Sequence, residues 1–251
     1  MIKIFLGLPG SGKTASAVRM ILKNPDITYY SNIITKKLKN NIVITKDMII
    51  KETPILKDDK TPKVKDHEPV MKLSVNKDYW ENLDKSKRYN LILDEAHTIM
   101  NPRRSMSRQN QIIMQFLAMI RRVLGASESS QGDLILITQL SRGLEIYARE
   151  MSTKVFYHRC HYHKRCKRCL RTYYENNEFP DILERCRFCK SPNLEKINMK
   201  IEILEFIGLD ALDAWKISGA KTYYKRYIVK NIEEVFPLYN TLQWDNLIVD
   251  Y

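Results

Sequence analysis

The chain has 251 residues, with 42 Lys and Arg against 29 Asp and Glu and a formal net charge of +13. At 44% apolar and 28% charged it is a globular sequence, neither disordered nor fibrous, with room for one full domain and a small appendage. The basic excess calls for a polyanionic partner, no uninterrupted apolar run is long enough for a membrane span, and the first apolar run enters a glycine loop instead of a cleavage site, so a soluble, cytoplasmic protein is expected.

Residues 2–6 read as a buried strand ending at Gly7. Residues 14–23 set Ala17, Val18, Ile21 and Leu22 on one helical face, closed by Asn24 and Pro25. β-rich pieces follow at 27–34 and 42–44. Residues 51–72, with Pro54, Pro62 and Pro69 among balanced charges, predict a solvated excursion. Residues 91–93 and 134–137 suit central strands of a parallel sheet. Between them Ile112, Ile113, Phe116, Leu117, Ile120, Val123 and Leu124 form a helical stripe that stops at Gly125. All five cysteines fall between Cys160 and Cys189, which marks out a separate module. The expected division is a core of residues 1–157 and 197–251 with an insertion at 158–196.

Gly7-Leu8-Pro9-Gly10-Ser11-Gly12-Lys13-Thr14 fits the pattern G-x-x-x-x-G-K-T, placed after a strand and before a helix. In such a loop Gly7, Gly10, Ser11 and Gly12 let backbone N–H groups close around phosphates. Lys13 reaches the outer phosphates and the Thr14 hydroxyl goes to Mg²⁺. The site needs a second carboxylate on the metal side, and Leu91-Ile92-Leu93-Asp94-Glu95 supplies it: Asp94 for the metal, Glu95 to orient and polarise an attacking water. Two acids after a strand also occur at solvated strand ends; the company of the phosphate loop favours the functional reading. Gln139, closing the strand at 134–138, is placed to sense the γ-phosphate of ATP, the alternative being a simple strand-end polar residue.

GLPGSGKT, LILDEAH followed by NPRRSMSRQN, the helix ending in IRR, LILITQ and PLYNT together resemble the additional-strand, catalytic-glutamate P-loop ATPases, and within them the FtsK/HerA-type motors and the Zot-like ATPases of viruses and phages. That resemblance implies an α/β fold of RecA type with a mostly parallel sheet in the order 5-1-4-3-2. It also implies a ring, a pentamer or hexamer, that hydrolyses ATP to translocate double-stranded DNA in viral genome packaging. A neighbouring subunit's arginine would complete the site: Arg122 first, then Arg121, with Arg103, Arg104, Arg142 and Arg149 as further candidates. Asp94-Glu95-Ala96-His97 also spells a helicase box, but the second lobe and coupling motif of those enzymes are missing, so His97 reads as a local helix-start contact.

Cys166-x-x-Cys169 and Cys186-x-x-Cys189, separated by 16 residues, have the spacing of a structural zinc ribbon, two knuckles giving a closed four-thiolate Zn²⁺ site. Cys160, His158, His161 and His163 are left out of it. Basic residues interleaved with Tyr162, Tyr173, Tyr174 and Phe188 suit phosphates and exposed bases, which favours a nucleic-acid contact over a docking knob for a portal, capsid or membrane protein of the virion. Two other functions stay open: a Zot-like factor driving virion assembly or export through protein contacts, and an ATP-gated zinc-ribbon DNA-binding regulator.

Overall fold

The structure, a computed structural model, describes all residues except 59, 66–67, 100–107, 126–131, 142–143, 145, 177–184 and 245–251. β1 (Ile2–Leu6) enters the glycine loop and α1 (Lys13–Lys23) leaves it, followed by β2 (Thr28–Ser31), β3 (Ile33–Thr35) and β4 (Asn41–Val43). After α2 (Lys46–Ile49) the proline-bearing stretch forms short antiparallel pieces, β5 (Ile50–Pro54) with β8 (Met71–Val75) and β6 (Val64–Lys65) with β7 (Glu68–Pro69), before α3 (Lys77–Glu81). β9 (Tyr89–Leu93), α4 (Ala96–Ile99), α5 (Arg108–Gly125) and β10 (Leu134–Thr138) carry the middle of the chain. Then come α6 (Ile146–Glu150), β11 (Ser152–Cys166), β12 (Thr172–Asn176), β13 (Leu194–Phe206), α7 (Gly208–Ser218), β14 (Lys225–Lys230), a 3-10 helix at Ile232–Leu238 and β15 (Tyr239–Trp244).

Five parallel strands lie in the order β11-β1-β10-β9-β2, which is the expected 5-1-4-3-2. β4 extends the sheet in parallel beyond β2, while β13 and β14 add antiparallel strands beyond β11. Alternation along β1 sends Ile2, Ile4 and Leu6 to one face, against Phe116, Leu117 and Ile120 of α5. Phe5 goes to the other, against Ala17, Val18 and Ile21 of α1. The stripe read from residues 112–124 is therefore a core face, and the sheet is covered on both sides as parallel strands require. Leu6 stands opposite Thr138 and Leu136 opposite Leu93, so β1, β10 and β9 end at a common carboxyl edge. Among the described residues no helix is long and apolar enough to cross a membrane.

β11 is 15 residues long. Its first part pairs with β1; the rest runs on with β13 as a ribbon to Cys166 opposite Leu194. The limits expected for an insertion, 158 and 196, thus fall inside β11 and β13. The reason is visible in the pairing: Val155, Tyr157, Leu204 and Phe206 belong to one core face and Ile201 to the other, and beyond the Cys160–Ile201 pair polar partners predominate. His161 Nε2 lies 2.9 Å from Glu202, Lys164 Nζ 3.1 Å from Glu175 and Arg165 2.5 Å from Glu195.

Candidate nucleotide site and cysteine cluster

The loop between β1 and α1 is shaped by two glycines whose backbones no other residue could supply cheaply. Gly7 and Gly12 have φ of +152° and +86°, and a Cβ on Gly7 would lie 2.5 Å from the His158 carbonyl oxygen. On Gly12 it would lie 2.1 Å from Ile201 Cδ1. Gly10 also has positive φ, with open space around it. α1 begins with no side-chain cap and no acid in its first turn, so its orphan amides face an anion-ready cradle. Lys13 folds back over the loop, donating to Gly7 O at 2.9 Å and Leu8 O at 3.1 Å, with Ser11 Oγ at 3.5 Å. Burial lowers its pKa, an effect opposed by the charges of Glu95 and Asp94.

The Thr14 hydroxyl donates to Asp94 Oδ2 at 2.7 Å, joining α1 to the end of β9. Asp94 Oδ1 accepts from the Glu95 N–H at 2.9 Å. Burial raises the Asp94 pKa despite these two bonds, so a cation at this position would relieve an unfavourably desolvated carboxylate. Thr14 and Asp94 together present a hydroxyl and a carboxylate, the hard oxygen set Mg²⁺ prefers. Glu95 sits at φ 49°, a left-handed conformation that costs a non-glycine residue about 1 kcal/mol or more. Gln139 Nε2 donates to Glu95 Oε1 at 3.2 Å. The structure therefore brings Lys13, Thr14, Asp94, Glu95 and Gln139 together at the carboxyl edge of the sheet, where open α/β sheets bind ligands.

Two residues here escaped the sequence. Asn32, just past β2 and 5% exposed, accepts from the Asp94 N–H at 2.7 Å and donates to the Asp94 carbonyl at 2.9 Å. Its amide clasps the metal-side aspartate like one more rung of the sheet. His97 Nδ1 lies 3.3 Å from Glu95 Oε2 and 3.3 Å from Thr138 Oγ1. It bridges the acidic turn to the adjacent strand, which is more than the helix-start contact expected of it. Of the candidate arginines, Arg103, Arg104 and Arg142 lie outside the described residues. Arg121 and Arg122 close α5 beside Leu124, whose carbonyl accepts from Gly132 N just before β10. That places them at the amino edge of the sheet, about 17 Å of strand from the phosphate loop. Neither lies at its own chain's phosphate loop. Arg149 lines a concavity of 730 Å³ between α6 and α7, also away from the loop.

At the ribbon tip the Sγ atoms of Cys166, Cys169, Cys186 and Cys189 all lie within 4.8 Å of one another. The two knuckles repeat one backbone pattern. Cys166 N donates to Arg171 O and Leu170 N to Cys166 O; Cys186 N donates to Ser191 O and Lys190 N to Cys186 O. Leu170 and Lys190 take the same left-handed turn, with φ of 59° and 57°. The Tyr173 hydroxyl, 3.2 Å from Cys186 Sγ, lowers the pKa of that thiol, while hydrogen bonds from the neighbouring thiols raise that of Cys169. The convergent donor set and paired turns fit a tetrahedral Zn²⁺. Cys160 and His158 are instead buried in the strand interior, and His161 is engaged by Glu202 and Tyr174.

The family model of the zonular occludens toxin (Zot) matches residues 1–175. No curated protein matches the chain significantly. Among solved structures, the N-terminal domain of zonular occludens toxin from Neisseria meningitidis aligns with a TM-score of 0.47 and 19% identity, over 95% of this chain and 98% of that one. The DNA-packaging ATPase of Sulfolobus turreted icosahedral virus aligns with a TM-score of 0.36 and 17% identity, over 91% and 96%. The genome-packaging NTPase of Sulfolobus turreted icosahedral virus 2, with ATP-γS, aligns with a TM-score of 0.39 and 14% identity, over 92% and 97%. With the match covering well over half of its length, the chain belongs to the zonular occludens toxin (Zot) family.

Proposed function

We propose that this protein is an Mg²⁺-dependent ATPase that moves double-stranded DNA during viral genome packaging. The observation that carries the proposal is the meeting of Thr14 Oγ1 and Asp94 Oδ2 at 2.7 Å, across 80 residues of chain, beside a loop whose amides and Lys13 suit phosphates. Gly7, Gly10, Ser11 and Gly12 wrap the phosphates, Lys13 neutralises them, and Thr14 and Asp94 hold the metal. Mg²⁺, when bound, supplies charge neutralisation at the outer phosphates. Glu95 orients the attacking water and accepts its proton, and Gln139, hydrogen-bonded to Glu95, couples that carboxylate to the γ-phosphate end of the site. Arg122 or Arg121 of a neighbouring subunit reaches the phosphates in a pentameric or hexameric ring, consistent with their position away from their own loop. The four cysteines hold a structural Zn²⁺ that closes the ribbon, on a core formed by the rest of the chain. The protein works in the host cytoplasm, docked on a portal or capsid as the virion assembles.

A second reading has one observation in its favour. The match to the Zot family over residues 1–175 suits an ATPase that drives virion assembly or export through protein contacts, a membrane protein of the virion included. Phosphate release with and without duplex DNA, on protein sized for oligomers, separates the two. DNA-stimulated release from a ring supports the packaging motor. Release that ignores DNA favours the assembly factor, and absence of release overturns both.

A further inference from the structure

Glu95 is held at its backbone and at one of its two carboxylate oxygens. Its carbonyl accepts from the Thr98 N–H at 2.8 Å and from the Thr98 hydroxyl at 2.9 Å, which pins the left-handed turn at φ 49°. Oε1 accepts from Gln139 Nε2 at 3.2 Å. Oε2 is buried, and among the described residues no well-formed hydrogen bond reaches it. His97 Nδ1 stands 3.3 Å from it. A carboxylate oxygen shut away from water without a donor is costly, so the placement of that ring nitrogen matters to the base. The His97 side chain is 33% exposed and belongs to neither core cluster, so replacing it opens no cavity in the core.

Two neighbours fix where His97 carries its hydrogen. Nδ1 also lies 3.3 Å from Thr138 Oγ1. Thr138 is fully buried, and its hydroxyl donates to Leu140 O at 3.2 Å while accepting from Leu140 N at 3.3 Å. Its single proton is thus committed to Leu140, which leaves Oγ1 an acceptor towards His97. A bare Nδ1 would moreover turn a lone pair towards Glu95 Oε2. Both contacts therefore require Nδ1–H, one hydrogen between two oxygens at equal distance. Thr138 ends β10 and Gln139 follows it, so one strand end supplies both holds on the carboxylate. Gln139 acts directly on Oε1, and Thr138 acts through His97 on Oε2. A carboxylate has about four acceptor positions, so these two contacts leave room for the attacking water.

We propose that His97 is a positioning residue for hydrolysis: its Nδ1–H, fixed by Thr138, holds the Oε2 side of Glu95 so that the carboxylate keeps one orientation towards the attacking water. In this role His97 acts only through Glu95. The inference deepens the function proposed above and rests on Glu95 being the group that activates water. Orientation of the base acts on the rate more than on ATP affinity, because binding uses the glycine loop, Lys13, Thr14 and Asp94.

The test is phosphate release by the full chain over a range of Mg-ATP concentrations, beside Mg-ATP binding by equilibrium dialysis. His97→Ala should lower kcat about tenfold to a hundredfold with KM and binding near wild type, as when a reacting group is misplaced without being removed. His97→Asn puts an amide N–H close to the place of Nδ1 and should restore kcat to within about threefold. His97→Gln carries its N–H out to the place of Nε2 and should stay near His97→Ala. That ordering separates positioning from ring volume, because Asn is the smaller of the two, and it can be read even if the Ala variant folds poorly. With Glu95→Gln already present, His97→Ala should cost nothing further, since residues acting through one group are not additive. His97→Ala at the wild-type kcat, with Glu95→Gln inactive, overturns the inference and leaves the proposed function standing. A Gln variant as active as the Asn variant, or a loss confined to KM, does the same. Wild-type hydrolysis by Glu95→Gln removes the base itself and the inference with it.

Discussion

Asn32→Ala is the most informative single change outside the motifs. The side chain makes two bonds, at 2.7 and 2.9 Å, to the backbone N–H and C=O of Asp94, and the residue is 5% exposed. Two net hydrogen bonds at about 1 kcal/mol each, plus the desolvation cost of whichever backbone group stays buried and unpaired, put the loss at about 2–5 kcal/mol. Part of that loss appears as stability and part as misplacement of Asp94 and the strained Glu95 that follows it. The expected result is a lower urea midpoint, kcat reduced tenfold or more, and ATP affinity changed much less, because the phosphate loop is untouched. Asn32→Asp sharpens the test. It keeps an acceptor for the Asp94 N–H but sets a carboxylate oxygen against the Asp94 carbonyl and a second charge beside a buried carboxylate. Its deficit should therefore match or exceed that of Asn32→Ala at neutral pH and shrink on acidification, as the new carboxyl takes up a proton and can donate. Steady-state phosphate release and urea unfolding measure both. Wild-type midpoint and kcat in Asn32→Ala would refute the clasp.

Two further outcomes follow from buried groups. His158 is fully buried, and burial lowers its pKa to about 4 against 6.5 in the unfolded chain. Because the unfolded state takes up the proton first, stability is intact above pH 6.5 and falls as the pH drops towards 4, by about 3 kcal/mol in all from this residue; urea unfolding against pH should show a shallower acid loss in His158→Gln. Chelation of zinc should unfold the ribbon tip and release one equivalent of metal, with Cys186→Ser preventing loading, while ATP binding persists because the loop at Gly7–Thr14 is built on the core strands; metal analysis and hydrogen exchange follow the two regions separately.

What could be read in advance tracks how local the signal is. The glycine loop was legible because Gly7 and Gly12 each answer a backbone requirement within eight residues of Lys13 and Thr14. The strand order came with the family resemblance that the motifs carry; the apolar runs alone gave strands without an order. The helical stripe of α5 announced itself by its period. Asn32 was not legible: it is one polar residue after a short strand, and its partner lies 62 positions away. His97, in α4, reads from sequence as a local contact only, because its partner Thr138 lies 41 positions away on β10. The ribbon was expected as an insertion because its cysteines cluster, whereas β11 and β13 leave the core sheet without a break. Of the tip's aromatics, Phe188 has the Arg171 guanidinium 3.6 Å above its ring, a pairing that residue types alone do not announce.

The central claim is that Thr14, Asp94 and Glu95 converge with the glycine loop on one triphosphate, with Glu95 as the residue that activates water. The direct measurement is Glu95→Gln, assayed for Mg-ATP binding by equilibrium dialysis and for phosphate release under single-turnover conditions. Retained binding with hydrolysis slowed a hundredfold or more is the expected pair of results. Hydrolysis at the wild-type rate would remove Glu95 from the role and contradict the account.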